Sequence, residues 1–233
     1  MKKRTIFQIL LGLVSIGLAV WLYLSIMQPV KFDNEYTTRR DACAEKLKAI
    51  RTLEEAYKST YGCYTGSFDT LINRLLNEDS LRISKKIYHP EKYPNDPDFS
   101  ISDLSDAEAI KLGYMNLETV HVNPIAQLRE EGKLFYKDAD GEKHEISDQE
   151  IMDIAKVPYP KDSDLKFTLQ AGKIMKGGFE VPVFECRVDF KDLLSDLPEQ
   201  DVANKIAAVI GVNKEPCWKV GDMTQSITDG NFE

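Results

Sequence analysis

Hydrophobic and polar positions divide the chain into an unbroken apolar run, a helical stripe and a later stretch of period two. From Ile6 to Ile26 the sequence IFQILLGLVSIGLAVWLYLSI has only Gln8, Ser15 and Ser25 as clearly polar residues. At about 1.5 Å per residue this run forms a helix about 30 Å long, the thickness of a bilayer hydrocarbon core. Lys2, Lys3 and Arg4 precede it, and no further charge occurs before Lys31. Trp21 and Tyr23 lie toward its far end, where aromatic rings favour the headgroup interface. The pattern predicts a transmembrane anchor with a cytoplasmic N-terminus and everything after Pro29 outside. A cleaved signal peptide would have an apolar stretch of about 7–15 residues and a pair of small residues after it. Leu22 to Met27 contain no such pair, so the anchor is expected to be retained.

From Asn34 to Tyr61 the apolar positions recur at three and four residues: Cys43, Leu47, Ile50, Leu53, Tyr57 and Tyr61, with Ala42, Ala49 and Ala56 beside them. The other face carries Glu45, Lys46, Lys48, Arg51, Glu55 and Lys58. This spacing predicts an amphipathic helix that follows the anchor, with Pro29 as the interruption between them and Gly62 as its end. Ser67 is placed to cap a short helix whose face is Phe68, Leu71, Ile72, Leu75 and Leu76. Residues 84–99 hold Pro90, Pro94 and Pro97 among charges and read as a loop. Ser105-Asp106-Ala107-Glu108 is a capping box, and Gly113 closes the helix it opens.

The period then shortens. Leu117 to Val122, Lys133 to Lys137 and Lys143 to Ile146 read as short strands, the last two joined through Asp138-Ala139-Asp140-Gly141. Leu165 to Leu169 and Phe179 to Phe190 are stronger strands, with a turn at Lys176-Gly177-Gly178. The second alternates imperfectly, which implies a bulge or burial on both faces. Pro198 to Ile210 is an amphipathic helix on Val202, Ile206, Val209 and Ile210, and Trp218 to Asp222 is a last edge strand. The expected fold class is α+β: an N-terminal transmembrane helix continuing into an amphipathic helix, then a mixed, mainly antiparallel β domain with a late helix. The expected division is 1–30 for the cytoplasmic tip and anchor, 31–80 for a helical stalk or packing region, and 81–233 for an extracytoplasmic domain.

Charge narrows the partners. The 233 residues carry a formal net charge of −8, and no basic stripe suited to nucleic acid occurs. Residues 5–30 are expected to contact lipid. No phosphate loop, nucleophile elbow or zinc helix is present. His89, His121 and His144 are far apart in sequence and read as surface residues. Asp138, Asp140, Gly141 and Glu142 approach a calcium loop, but Tyr136 occupies its first ligand position. Asp192 with Asp196, and Glu54 with Glu55, read as solvated faces. No catalytic, metal or cofactor site is expected, and the chain is read as non-enzymatic.

Cys43, Cys63, Cys186 and Cys217 form an even set, which in an oxidising compartment favours disulfides. A helix from Cys43 to Tyr61 holds its ends about 27 Å apart, whereas a disulfide needs Cα atoms within about 7 Å. A Cys43–Cys63 bridge is therefore disfavoured. Pairing of each with Cys186 or Cys217, or four separate buried thiols, both stay open.

The segment Ala49-Ile50-Arg51-Thr52-Leu53-Glu54-Glu55-Ala56-Tyr57-Lys58-Ser59-Thr60-Tyr61-Gly62-Cys63-Tyr64 resembles the helix end of type II secretion pseudopilins, and residues 5–72 resemble the N-terminal organisation of type IV pilins. The resemblance implies an apolar segment running into a long helix that carries a β-rich head. Arg4 and Thr5 stand where a prepilin peptidase requires Gly, and Gln8 is the polar residue nearest the family's Glu. The shape is shared without the processing signals. The whole chain looks like bacterial single-pass envelope proteins.

These features lead to an expected structural or interaction role in the bacterial envelope, as a pilin-like or accessory subunit in the inner membrane. Its partners would be other envelope proteins or copies of itself. Leu47, Ile50, Leu53 and Tyr57 are the candidate interface. The competing assignment buries the same stripe inside the chain's own domain. The alternative function is an extracytoplasmic ligand- or peptide-binding module without catalytic activity.

Overall fold

The computed structural model describes residues 2–95, 99–137 and 141–232, with the backbone alone for 2–6 and 9. Helix α1 runs unbroken from Lys2 to Tyr61 and takes Pro29 into its interior. Pro29 costs one backbone hydrogen bond, but it does not separate anchor from amphipathic helix, contrary to expectation. Gly62 at φ 75° ends α1, its N–H bonding to the Lys58 carbonyl at 2.8 Å. Helix α2 (Phe68–Asn77) starts at Ser67, whose hydroxyl accepts the Thr70 N–H, and it buries Leu71 and Leu75.

Strand β1 (Leu81–Tyr88) and strand β2 (Met115–Val122) form a two-stranded antiparallel ribbon, Leu81 opposite Val122 and Tyr88 opposite Met115. Residues 84–88 were expected in a loop. The alternation of Leu81, Ile83 and Ile87 already begins the strand, and the prolines follow it. Between the strands lie turns at Pro90–Lys92 and Ile101–Asp103 and helix α3 (Asp106–Lys111), which starts with the expected Ser105/Glu108 capping box.

Helix α4 (Pro124–Glu130), strands β3 (Phe135–Lys137) and β4 (Lys143–Glu145), and helix α5 (Asp148–Met152) follow. β3 and β4 pair antiparallel as expected. The turn at Asp138–Asp140 lies outside the described residues, as does Pro97. Asn123 caps α4 and a Ser147/Glu150 capping box starts α5; both short helices were absent from the sequence reading although their caps are legible in it.

The last part is a three-stranded antiparallel sheet in the order β5 (Thr168–Lys176), β6 (Phe179–Asp189), β7 (Cys217–Gly221). β5 begins three residues later than expected and runs on to the Gly177-Gly178 turn. Val183, Phe184, Glu185 and Cys186 are buried in succession, so β6 is covered on both faces. Helices α6 (Phe190–Leu193) and α7 (Glu199–Gly211) connect β6 to β7. Gly221 takes φ 75°, and a Cβ there would stand 2.2 Å from the Phe184 carbonyl oxygen. Only glycine lets β7 close against β6 at that point.

One core cluster extends from Phe32 to Val220 and includes residues of α1, α2, α4, α5, β5, β6, α6, α7 and β7. Apolar residues from Phe32 to Leu75 therefore contribute to this core, in keeping with the packing half of the stalk or packing region expected over 31–80.

Candidate functional site

The stripe that enters the core starts earlier than the sequence suggested: Phe32, Tyr36, Arg39, Cys43, Leu47, Ile50, Glu54 and Tyr57 lie three or four residues apart, each at or below 9% exposure. Below Phe32 the same helix is largely uncovered. Among its described side chains Phe7, Leu10, Leu13, Ile16, Leu24 and Val30 are exposed, with Trp21 at 68%. α1 contains an N-terminal stretch long and apolar enough to cross a membrane, none of it covered by the domain. The site that organises the molecule is the point where α1 leaves this bare segment and enters the fold.

A collar of polar contacts holds that point. Gln28 Nε2 donates to Asp201 Oδ2 on α7 at 3.0 Å. Lys205, one turn further along α7, lies 3.9 Å from Asp33 and 4.0 Å over the Tyr36 ring. Tyr36 packs edge-on to Phe190 and tilted against Trp218, and burial pushes its hydroxyl up to about 12. The Arg39 guanidinium, 4% exposed, donates to both carboxylate oxygens of Asp196 and to the Leu193 carbonyl. That charge-assisted hydrogen bond raises the Arg39 pKa and lowers that of Asp196. Asp196 was read as part of a solvated carboxylate face with Asp192; it is the fixed counterion of a buried cation.

Higher on α1, a groove of about 960 Å³ runs beside Ala42, Ala49, Ile146, Ile154 and Phe232. Lys46 lies along it and donates to the Asp153 and Lys156 carbonyls at 3.3 and 2.8 Å. Desolvation lowers its pKa. Glu45 accepts the Lys137 N–H at 2.9 Å and pairs with Lys48 at 2.8 Å. Polar groups here fasten α1 to β3 and α5.

Near its top, α1 buries Glu54 completely. Its Oε2 accepts the Thr65 N–H at 3.0 Å, while Oε1 has no partner. Burial in apolar surroundings raises this carboxyl to about 8, against the lowering effect of the Thr65 bond. Glu54 was expected on a solvated face with Glu55, which is exposed. Its place in the 47, 50, 54, 57 series was the available signal.

The candidate interface residues are not at a surface. Leu47 and Ile50 are 0% exposed, Leu53 1% and Tyr57 7%, all inside the core cluster. The sheet and α2 already fill the face that subunit packing would have used. Arg51, expected on the exposed side, reaches the Thr228 carbonyl at 3.4 Å.

The four cysteines are free: Cys43, Cys186 and Cys217 buried, Cys63 exposed. Of the two alternatives left open, bridging to Cys186 or Cys217 is not seen and the thiols are separate, with Cys63 exposed instead of buried. Cys43 and Cys63 lie at opposite ends of an unbroken helical stretch. Cys186 faces Val220 across the sheet, three residues from Cys217, or about 10 Å along the strand. Burial pushes the Cys43 and Cys217 thiols up to about 12 and holds that of Cys186 well above its ordinary value, so these three are poor nucleophiles. His89, His121 and His144 lie after β1, in β2 and in β4. Among the described residues no cluster of three His, Cys, Asp or Glu side chains is close enough to hold a metal.

Against this geometry, comparison with known proteins returns nothing to transfer: no protein family, no curated protein and no solved structure matches the chain.

Proposed function

We propose that the chain is a membrane-anchored, extracytoplasmic structural or interaction protein of the bacterial envelope, with pilin-like or accessory subunits as its functional type. One observation carries this reading: a single helix is exposed and apolar over residues 10–26, then becomes a core element of the domain over residues 32–57. Such a helix fixes the head at a set height, because Ile26 to Tyr61 spans about 52 Å. The collar of Gln28, Asp33 and Arg39 removes swivel at the membrane exit. The basic residues before the apolar run favour a cytoplasmic N-terminus and an exported head.

Two measurements test it. Cys63 is the exposed thiol among three buried ones, so a membrane-impermeant maleimide applied to spheroplasts should label it without lysis. Labelling only after lysis would place the head in the cytoplasm and end the reading. A photo-cross-linker at the exposed Glu55 should then capture a copy of the chain or one defined envelope protein. The groove beside α1 supports the alternative of a binding module, and a head that is exported yet captures no protein favours it.

A further inference from the structure

Sheet edges in this protein are treated unequally. The outer edge of β7 is closed by the C-terminal segment: Gly221 N–H bonds to the Asp229 carbonyl at 3.2 Å, Asn231 N–H to the Lys219 carbonyl at 3.1 Å, and Gly230 bridges Val220. The outer edge of β5 has Gly66 pressed against it, a Cβ there standing 3.2 Å from the Ala171 nitrogen. β3 has its Lys137 N–H taken by Glu45. The ribbon of β1 and β2 is touched by α3, which packs against β2 near the buried Met115, but its strands have no such main-chain cover among the described residues. Each strand is eight residues long, about 27 Å. Among the described residues no hydrogen bond outside the ribbon's own ladder reaches the main chain of Leu81–Tyr88 or Met115–Val122. None of its apolar residues Leu81, Ile83, Ile87, Val120 and Val122 joins the core cluster. A two-stranded ribbon alone is marginal in water, and open edges template further strands.

The two open edges differ in charge. β1 carries Arg82, Lys85 and Lys86, so a second β1 laid against it would set cations against cations; lysines on an edge are a common guard. β2 carries only Glu118. We propose that β2 is a self-pairing edge, on which β2 of a second copy docks antiparallel about a two-fold axis at Thr119, joining two ribbons into one four-stranded sheet. In an antiparallel pair, opposed residues share a face, so the two-fold must pass through a residue position. Centred on Glu118 it opposes two carboxylates. Centred on Thr119 it opposes Thr to Thr, Leu117 to the second copy's His121, and Glu118 to the second copy's Val120. Like-residue Thr pairs are favourable, and this register moves the two Glu118 side chains from directly opposite each other to a diagonal about 7–8 Å apart. The attachment points at Val122 then lie about 20 Å apart at opposite ends of the joint, leaving room for two heads. Co-insertion in one membrane raises the local concentration of the two edges.

This proposal rests on the interaction-protein reading and fails separately from it. The test uses the full chain in detergent with Cys63→Ser and Thr119→Cys together, oxidised with copper phenanthroline. A cross-linked band at twice the chain mass is expected, while Ser84→Cys on the guarded β1 edge should give at least tenfold less. Sedimentation of the otherwise native chain should show a dimer that Thr119→Pro weakens at least tenfold without moving the thermal transition of the core. A monomer throughout overturns the proposal, as do equal cross-linking from Ser84→Cys and a dimer indifferent to Thr119→Pro. Capture of one different envelope protein by a photo-cross-linker at Leu117, with no self-dimer, overturns self-pairing and leaves the proposed function standing.

Discussion

The two halves of α1 show how one helix is written for two solvents. In the lower half Leu10, Leu13, Ile16 and Leu24 are each more than half exposed, on a stretch long and apolar enough to cross a membrane. In the upper half Leu47, Ile50 and Leu53 are sealed by the chain itself. Burying such side chains contributes about 1.5–3 kcal/mol each. The lower half is apolar all round; the upper half is apolar on one stripe and charged on the other. The stripe even accommodates Arg39 and Glu54, because the fold supplies Asp196 to the first and keeps a proton on the second. In the lower half the Ser15 hydroxyl donates to the Leu11 carbonyl at 2.9 Å, and Gln28, at the upper limit of that half, reaches Asp201.

The same substitution placed in each half should separate them most widely. Ile50→Asp puts an unpaired carboxylate in the core, and a loss of about 4 kcal/mol or more should abolish the cooperative melt of the full chain in detergent. Leu18→Asp should leave that melt intact and instead impair membrane insertion, by about 3 kcal/mol on insertion scales, read as the fraction resistant to carbonate extraction. If both variants melt alike, the comparison is wrong.

Glu54→Gln addresses the upper half's neutral carboxyl. A carboxyl raised to about 8 in the folded state binds a proton that the unfolded chain releases near its ordinary pKa. Stability from this group is therefore greatest at low pH and falls as pH rises through the interval from about 4.5 to about 8. The Gln variant should lack that slope and exceed the native chain at pH 8 by on the order of 2–4 kcal/mol, measured by denaturant titration at pH 5 and pH 8. Identical slopes would refute a protonated Glu54.

Asp196→Ala should cost about 2 kcal/mol by removing the bidentate counterion of buried Arg39, which keeps Glu35 at 3.8 Å and the Leu193 carbonyl. The sign with pH is opposite to that of Glu54: the folded-state pKa of Asp196 is depressed, so its contribution is present above the ordinary carboxylate range and is lost as pH falls through the folded value. A melt of the native chain against the variant between pH 3 and pH 6 reads the converging difference. The smallest effect belongs to truncation in the lower half: Leu22→Ala should shift head stability by less than about 0.5 kcal/mol, whereas Leu47→Ala should cost about 3–5 kcal/mol.

Much of this architecture was legible because local chemistry and tertiary outcome agree. Ser67 and Ser105 mark helix starts by hydroxyls that bond their own backbone, and Gly62 marks a helix end by its positive φ, so no distant contact was needed to place them. The β6 strand was equally visible. Three features were not. Residues 84–88 were assigned to a loop because Pro90, Pro94 and Pro97 outweighed a short alternation beside them. Glu54 was given to solvent because residue type was set above periodicity. The stripe of Leu47, Ile50, Leu53 and Tyr57 was read from the helix alone, which specifies an apolar face but not the surface that covers it; the covering strands lie more than 100 residues downstream.

That last separation has a consequence for biogenesis. α1 is synthesised first, yet β7, which packs against it, ends at Gly221, about 160 residues after Tyr61. At about 5–20 residues per second of synthesis, the stripe waits on the order of ten seconds or more before its full cover exists. During that interval the apolar face of the helix stands partly exposed. A chain that stops before β7 never leaves that condition, so late truncations should be cleared by quality-control proteolysis and not persist as partly working heads.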